Sequence, residues 1–175
     1  MRKLNLVFAL TTTLLSCLNA PSFAADAPPP ASLCTATEKT YLSCETENHK
    51  ILSLCGALPN ALQYRFGRPS RVELRYPEDA SKGTSTMAYA RDVEGNDDSS
   101  DLNFTHGSYH YQIFDLRHSH GDRYTGVIAQ GKDQVEHKVV CTSKVQGNLD
   151  EVGKYLKCDP NDPFNGGTED GCHGS

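Results

Sequence analysis

Residues 62–77, LQYRFGRPSRVELRYP, decide the fold class of this 175-residue chain. Apolar residues alternate with polar ones on both sides of a Gly67-Arg68-Pro69-Ser70 turn, at Leu62, Tyr64, Phe66, Val72, Leu74 and Tyr76. Alternation with period two is typical of a strand that buries one face. Pro77 ends the second strand because proline has no N–H to donate to a neighbouring strand. The stretch therefore predicts an antiparallel hairpin.

Similar strand patterns lie on both sides of this hairpin. They cover residues 41–44, 50–55, 85–91, 102–105, 108–113, 124–130 and 137–142. The Gly, Asn, Asp and Ser residues of Glu94–Asp101 predict a loop, and Leu149–Lys157 has helical spacing with Asn148 as N-cap. Short strands separated by regular turn signals predict a mainly β fold. We expect an antiparallel β-sandwich or barrel of about eight to nine short strands, with one short C-terminal helix.

The N-terminus has the features of a secretory signal peptide. Arg2 and Lys3 precede an apolar segment that is too short for a permanent membrane span, and Ser22-Phe23-Ala24 offers the small residues of a cleavage site. We expect residues 1–24 to be removed and the protein to be periplasmic or secreted. Leu14-Leu15-Ser16-Cys17 also resembles a lipobox, so the alternative is an outer-membrane lipoprotein acylated at Cys17, whose function would be that of a structural envelope lipoprotein. A membrane is involved only in that alternative.

Composition divides the rest of the chain into three segments. Residues 25–33 contain Pro28-Pro29-Pro30 and predict a stiff linker. Residues 34–158 carry the strand patterns and form the predicted β domain. Residues 159–175 are rich in Gly, Pro and Asp, which predicts a flexible acidic tail.

Six cysteines remain outside the predicted signal peptide: Cys34, Cys44, Cys55, Cys141, Cys158 and Cys172. Their number is even, and secretion into an oxidising compartment permits disulfides. The sequence therefore predicts three disulfides that stabilise the domain, but it does not select the pairing.

Charge and motifs exclude several functions. The chain has 17 Lys and Arg against 22 Asp and Glu, a formal charge of −5, which argues against a nucleic-acid partner. There is no Gly-x-Ser-x-Gly nucleophile elbow, and six paired cysteines would leave no free thiol in the domain. We expect a binding protein rather than an enzyme, with no cofactor.

One polar loop is the strongest candidate for binding. The sequence Arg-His-Ser-His-Gly-Asp-Arg joins two predicted strands, and a rigid sheet that presents a polar loop is a common arrangement in binding modules. We predict that the partner-binding residues are Arg117, His118, Ser119, His120, Asp122, Arg123 and Tyr124. The alternative is a metal site, for which His118 and His120 would supply imidazoles and Asp122 an oxygen.

The chain also resembles a group of small secreted bacterial β-rich proteins. The resemblance spans about residues 34–142 and is carried by residues 50–56, 64–67, 72–77, 107–111 and 126–127. In architecture and compartment it is similar to the periplasmic lysozyme inhibitors, especially those against invertebrate-type lysozymes. Some of those proteins insert a loop with a Ser-Gly pair and a nearby Tyr into the lysozyme cleft. Here Ser119-His120-Gly121-Asp122-Arg123-Tyr124 is similar, with His120 between the Ser and the Gly.

The resemblance implies inhibition of a cell-wall hydrolase by loop insertion. The protein would be a lysozyme inhibitor or an immunity protein against a peptidoglycan-degrading toxin. Such enzymes carry catalytic carboxylates in a cleft. Arg117, Arg123 or a protonated His would pair with these carboxylates, and Ser119 and Tyr124 would donate hydrogen bonds.

Overall fold

The computed structural model describes residues 31–161 and Cys172, and the chain forms two mainly antiparallel sheets. Strands are numbered in chain order. The first sheet has five strands in the spatial order β10 (Gln146–Gly147), β1 (Lys39–Glu45), β2 (Ile51–Ala57), β3 (Ala61–Arg68) and β4 (Arg71–Tyr76). The residue 62–77 hairpin is confirmed as β3 and β4, with Tyr64 opposite Tyr76 and Phe66 opposite Leu74.

The second sheet has six strands and is built from consecutive hairpins. Its spatial order is β11 (Lys157–Cys158), β5 (Ala88–Glu94), β6 (Asp97–His106), β7 (Tyr109–Arg117), β8 (Arg123–Gln130) and β9 (Glu136–Val140). Only β11 runs parallel to its neighbour within the described chain. The predicted sandwich is confirmed: nine longer strands form two sheets that do not close into a barrel, and two strands of two residues extend them.

The hydrophobic core lies between the two sheets. Tyr64 of β3 contacts Phe104 of β6 across the interface, with ring centroids 5.4 Å apart. The first sheet contributes mainly leucines to this core, namely Leu42, Leu52, Leu54 and Leu62. The second sheet contributes Leu102, Phe104, Ile113 and Val127, and Leu149 and Val152 close one side. Burial of these side chains is the main stabilising contribution to the fold.

The three predicted disulfides are confirmed, and the structure gives their pairing. Cys44 of β1 bonds to Cys141, which follows β9, and so ties the two sheets together. Cys34 bonds to Cys55 of β2, and Cys158 of β11 bonds to Cys172. Three disulfides indicate an oxidising, extracytoplasmic environment.

The segment before β1 packs on the outer face of the five-stranded sheet. The Leu33 N–H donates to Ser53 Oγ at 3.0 Å, and Arg65 donates to the Leu33 carbonyl at 2.9 Å. Arg65 also forms a two-pronged pair with Glu38, with both N···O distances 2.7 Å. Hydrogen bonds from Arg65 lower the pKa of Glu38 to about 2, against the opposing effect of burial. The end of the predicted linker is therefore attached to the sheet.

One loop prediction and the start of one predicted strand are wrong in the six-stranded sheet. The loop expected at Glu94–Asp101 is a two-residue turn, with Gly95 at φ +63°, followed directly by β6. Its Asp and Ser residues form a strand because β5 and β7 pair with it on both sides. The strand expected from Ser85 begins at Ala88 instead, after the helix α1 (Gly83–Thr86). The Ser85 and Thr86 hydroxyls donate to the Lys82 carbonyl and stabilise that turn.

The predicted C-terminal helix is present but shorter than expected. Helix α2 covers Asp150–Gly153 and follows Leu149 as its N-cap, so the prediction of Asn148 as N-cap is wrong. Asn148 Oδ1 still accepts the Asp150 N–H at 3.1 Å. The chain leaves the helix early because it must turn to place β11 beside β5.

Some predictions fall on other parts of the chain. The signal peptide, Cys17, most of the linker and most of the acidic tail lie outside the described residues. Within residues 31–161, no helix is long and apolar enough to cross a bilayer.

Candidate partner-binding loop

The predicted loop connects β7 to β8 at one end of the six-stranded sheet. The His118 N–H donates to the Asp122 carbonyl at 2.8 Å, and the Gly121 N–H donates to the His118 carbonyl at 2.9 Å. Gly121 has φ +99°, a conformation that favours glycine. Ser119–Asp122 are exposed, and we refer to these four residues as the loop tip.

Asp97 braces the loop from the neighbouring strand. The register of β6 and β7 pairs Asp98 with Arg117, which places Asp97 beside the start of the loop. Its Oδ1 accepts the Ser119 N–H at 2.9 Å, and its Oδ2 lies 2.9 Å from His118 Nδ1. The Ser119 N–H and then the His118 ring lower the pKa of Asp97. These two contacts attach the start of the loop to the neighbouring strand.

The two histidines of the loop stack on each other. Their ring centroids are 5.2 Å apart and the planes differ by 18°. Each ring has one nitrogen beside a carboxylate, His118 with Asp97 and His120 with Asp122, the latter at 3.1 Å. Among residues 31–161 and Cys172, no group of three or more His, Cys, Asp or Glu side chains is arranged to hold a metal ion.

The two arginines of the loop point into the protein. Arg123 donates to both oxygens of Asp115, at 2.7 and 2.8 Å, and the Thr125 hydroxyl donates to the same carboxylate at 2.8 Å. The Asp115 side chain is fully buried. Charged hydrogen bonds of this two-pronged kind are stronger than neutral ones, so they hold Arg123, the first residue of β8, in place.

Arg117 belongs to a larger arginine–aspartate network, which we define by its six charged members: Arg91, Asp98, Asp115, Arg117, Arg123 and Asp150. Arg117 Nη2 lies 2.8 Å from Asp98 Oδ2 and 2.8 Å from Asp150 Oδ2. Burial would lower the pKa of Arg117, but the neighbouring carboxylates, led by Asp150, raise it. The network anchors both ends of the loop and closes this end of the sandwich.

Asp98 connects two arginines of the network, Arg91 and Arg117. Arg91 donates to both of its oxygens at 3.1 Å, while Arg117 donates to one of them. Burial raises its pKa, but the two arginines together outweigh burial and leave the pKa below its ordinary value. Asp98 is therefore ionised throughout the neutral range, as an anchor for the loop requires.

Tyr124 follows the loop on the outer face of the sheet. It is 41% exposed, and its ring packs 5.3 Å from the ring of Phe114. Lys138 Nζ lies 4.7 Å from the Tyr124 ring centroid and 4.9 Å from that of Phe114. These contacts fix the ring beside the loop with much of its surface open to a partner.

The structure thus divides the predicted binding residues into two groups. Ser119, His120, Asp122 and Tyr124 are exposed, whereas Arg117, His118 and Arg123 pair with carboxylates of their own chain. Asp97 was missed because the polar stretch around it gave no strand signal. No protein-family model, curated protein or solved structure matches the chain.

Proposed function

We propose that this protein is a periplasmic or secreted inhibitor of a cell-wall hydrolase, a lysozyme or a peptidoglycan-degrading toxin. The loop tip would enter the active-site cleft of the enzyme. One observation carries the proposal: the exposed tip is braced by Asp97 at one side and by two internally paired arginines at its ends. A loop held in its binding conformation loses little entropy on association, which favours tight binding.

In this proposal the tip makes the contacts and the arginines support it. The Ser119 hydroxyl and a protonated His120 would donate to the catalytic carboxylates of the cleft. The partly exposed ring of Tyr124 would cover the cleft rim, since aromatic side chains often anchor protein interfaces. Arg117 and Arg123 would contribute through the position of the loop, because their guanidinium groups are already paired.

The charge of the protein suits a basic partner. The formal charge is −5, and Asp122 adds a carboxylate at the tip itself. Opposite net charges raise association rates, and salt screens the effect. We expect the association rate with a basic hydrolase to fall as ionic strength rises.

The proposed compartment follows from the disulfides and the predicted signal peptide. Mass measurement of the mature protein separates two routes: a free N-terminus at Ala25 supports a soluble protein, and an acylated Cys17 supports an outer-membrane lipoprotein. Neither route changes the proposed action of the loop.

Lysis of a peptidoglycan suspension tests the proposal. Purified protein with its disulfides intact is added to hydrolases of each lysozyme class and to secreted toxins that cleave peptidoglycan. We expect at least one enzyme to be inhibited stoichiometrically at micromolar concentration. Unchanged lysis rates with every enzyme at a large excess of the protein would contradict the proposal.

The stacked histidines support a second candidate, a metal-binding envelope protein. Each carboxylate orients one imidazole and leaves its other nitrogen available to an ion. Calorimetry with zinc and copper discriminates the two candidates. Stoichiometric uptake that is abolished by His118→Ala and by His120→Ala would favour the metal function, and so would the absence of hydrolase inhibition.

A further inference from the structure

A second concave site lies at the opposite end of the six-stranded sheet from the loop. It is a cavity of about 430 Å³, a size suited to a small ligand. Its floor is the outer face of β6 and β7, where Asn103, Thr105 and His110 lie. The α1–β5 segment forms one wall, and the chain from Lys157 to Asn161 forms another.

Asn103 is the unusual residue of this cavity. It is only 5% exposed, yet its side-chain amide has no hydrogen-bond partner among residues 31–161 and Cys172. Its neighbour on β7, Gln112, donates to Asp101 instead, at 2.9 Å. Its neighbour on β5 is Ala88, whose small side chain leaves space above the amide. The amide therefore reaches the cavity rather than a neighbouring side chain, and it is available to hydrogen-bond a ligand there.

The chemistry of the lining indicates what the ligand is. A carboxamide presents an acceptor oxygen and two donor hydrogens side by side, which matches neighbouring hydroxyls of a sugar ring. Thr105 and His110 can each donate or accept, and the Lys157 ammonium can donate. The two charged residues of the lining, Lys157 and Asp159, have opposite signs, so an uncharged ligand with many hydroxyls fits better than an anion.

Tyr76 adds an apolar wall to this polar floor. Its ring stacks on Phe104, with centroids 4.3 Å apart and planes within 11°, and its hydroxyl donates to the Thr86 carbonyl at 3.3 Å. The ring is therefore held in place before any ligand binds. A fixed aromatic ring beside hydrogen-bonding groups suits a pyranose, which has an apolar face and a polar rim.

We propose that this cavity binds one pyranose residue of a glycan, with the Asn103 amide as the main hydrogen-bonding group and Tyr76 as the apolar contact. The site is separate from the loop tip and does not depend on hydrolase inhibition. A protein with both sites would hold a glycan at one end of the sheet and present its loop at the other.

NMR titration of the processed, disulfide-bonded protein tests the proposal, because the side-chain NH₂ group of Asn103 is directly observable. The probes are N-acetylglucosamine and methyl glucoside, each added to about 20 mM, above the millimolar Kd expected of so small a ligand. We expect saturable shifts of the Asn103 side-chain signals and of Thr105 and His110, with at least one sugar. A blocked dipeptide serves as an amide-bearing probe without a sugar ring.

Two variants complete the test. Asn103→Ala should weaken sugar binding at least tenfold while keeping the backbone spectrum and melting temperature, since the amide has no partner to lose. Asn60→Ala, at an exposed turn between β2 and β3, is the matched control and should bind normally. Absence of shifts with both sugars, shifts with the dipeptide alone, or unchanged sugar binding by Asn103→Ala would each overturn the proposal.

Discussion

The backbone N–H of Ser119 donates to Oδ1 of Asp97 at 2.9 Å, and this contact joins the loop tip to the turn between β5 and β6. The other oxygen of the same carboxylate lies beside the His118 ring. One exposed carboxylate thus fixes both the main chain and a side chain of the loop. The proposed inhibition depends on this arrangement, because a loop that enters a cleft binds more tightly when its shape exists beforehand.

Asp97→Ala should therefore weaken inhibition without unfolding the protein. We expect the inhibition constant to rise about tenfold, a loss of about 1.4 kcal/mol, since the loop must then be ordered on binding. The control is Asp133→Ala, which removes a similar contact to the Val135 N–H in the β8–β9 turn at the other end of the sheet. Equal inhibition by wild type and Asp97→Ala would show that the brace has no role in binding.

Asp115→Asn should reduce stability far more than a surface change. The buried carboxylate receives hydrogen bonds from Arg123 and Thr125, and the neutral amide would leave Arg123 without its charged partner. We expect a loss of about 2–4 kcal/mol in the free energy of unfolding, measured by urea titration. Asp133→Asn should change it by less than about 0.5 kcal/mol. A similarly small effect of Asp115→Asn would contradict the network's structural role.

Glu38 should make the fold sensitive to acid. Its pKa in the folded state is about 2, below its ordinary value of 4.5, so its contribution is complete above pH 4.5 and is lost as the pH falls towards 2. Glu38→Gln should lower the free energy of unfolding at neutral pH by about 2–3 kcal/mol. It should also make this free energy depend less on pH as the pH falls from 4.5 towards 2. Parallel stability curves for wild type and Glu38→Gln between pH 5 and 2 would refute the assignment.

The disulfide between the sheets should stabilise the fold most. Cys44 and Cys141 are 97 residues apart in sequence, against 14 for Cys158 and Cys172. Chain-entropy arguments give about 4.7 kcal/mol for a loop near 100 residues and about 3 kcal/mol for one near 15. Thermal melts of the two double-alanine variants should rank Cys44→Ala/Cys141→Ala as the less stable. The reverse order would mean that loop length does not determine how much each disulfide contributes to stability.

The fold was predictable wherever a strand has one apolar and one polar face. Alternation at Leu62, Tyr64 and Phe66 and again along β7 identified strands that bury one side. Strand β6 was partly missed because Asp98 and Ser100 point inward, where alternation predicts apolar residues. Both are tolerated because side chains distant in sequence, such as Arg117 and Asp150, provide their hydrogen bonds.

The loop could be located from the sequence, but the roles of its residues could not. Polar density between two strands located the connection, although Arg117 and Arg123 belong to the strands and only residues 119–122 of the stretch are exposed. Whether an arginine faces outward depends on partners elsewhere in the chain, here Asp98, Asp115 and Asp150. The pairing of the cysteines depends in the same way on which strands become neighbours.

The most direct test compares loop variants against the hydrolase that the lysis assay identifies. The double variant Ser119→Ala/His120→Ala changes the tip, and Ser108→Ala/His137→Ala makes the same replacements at exposed positions elsewhere on the sheet. We predict that the tip variant raises the inhibition constant at least tenfold, while the control variant and the melting temperatures stay close to wild type. Full inhibition by the tip variant would contradict the assignment of this loop as the inhibitory element.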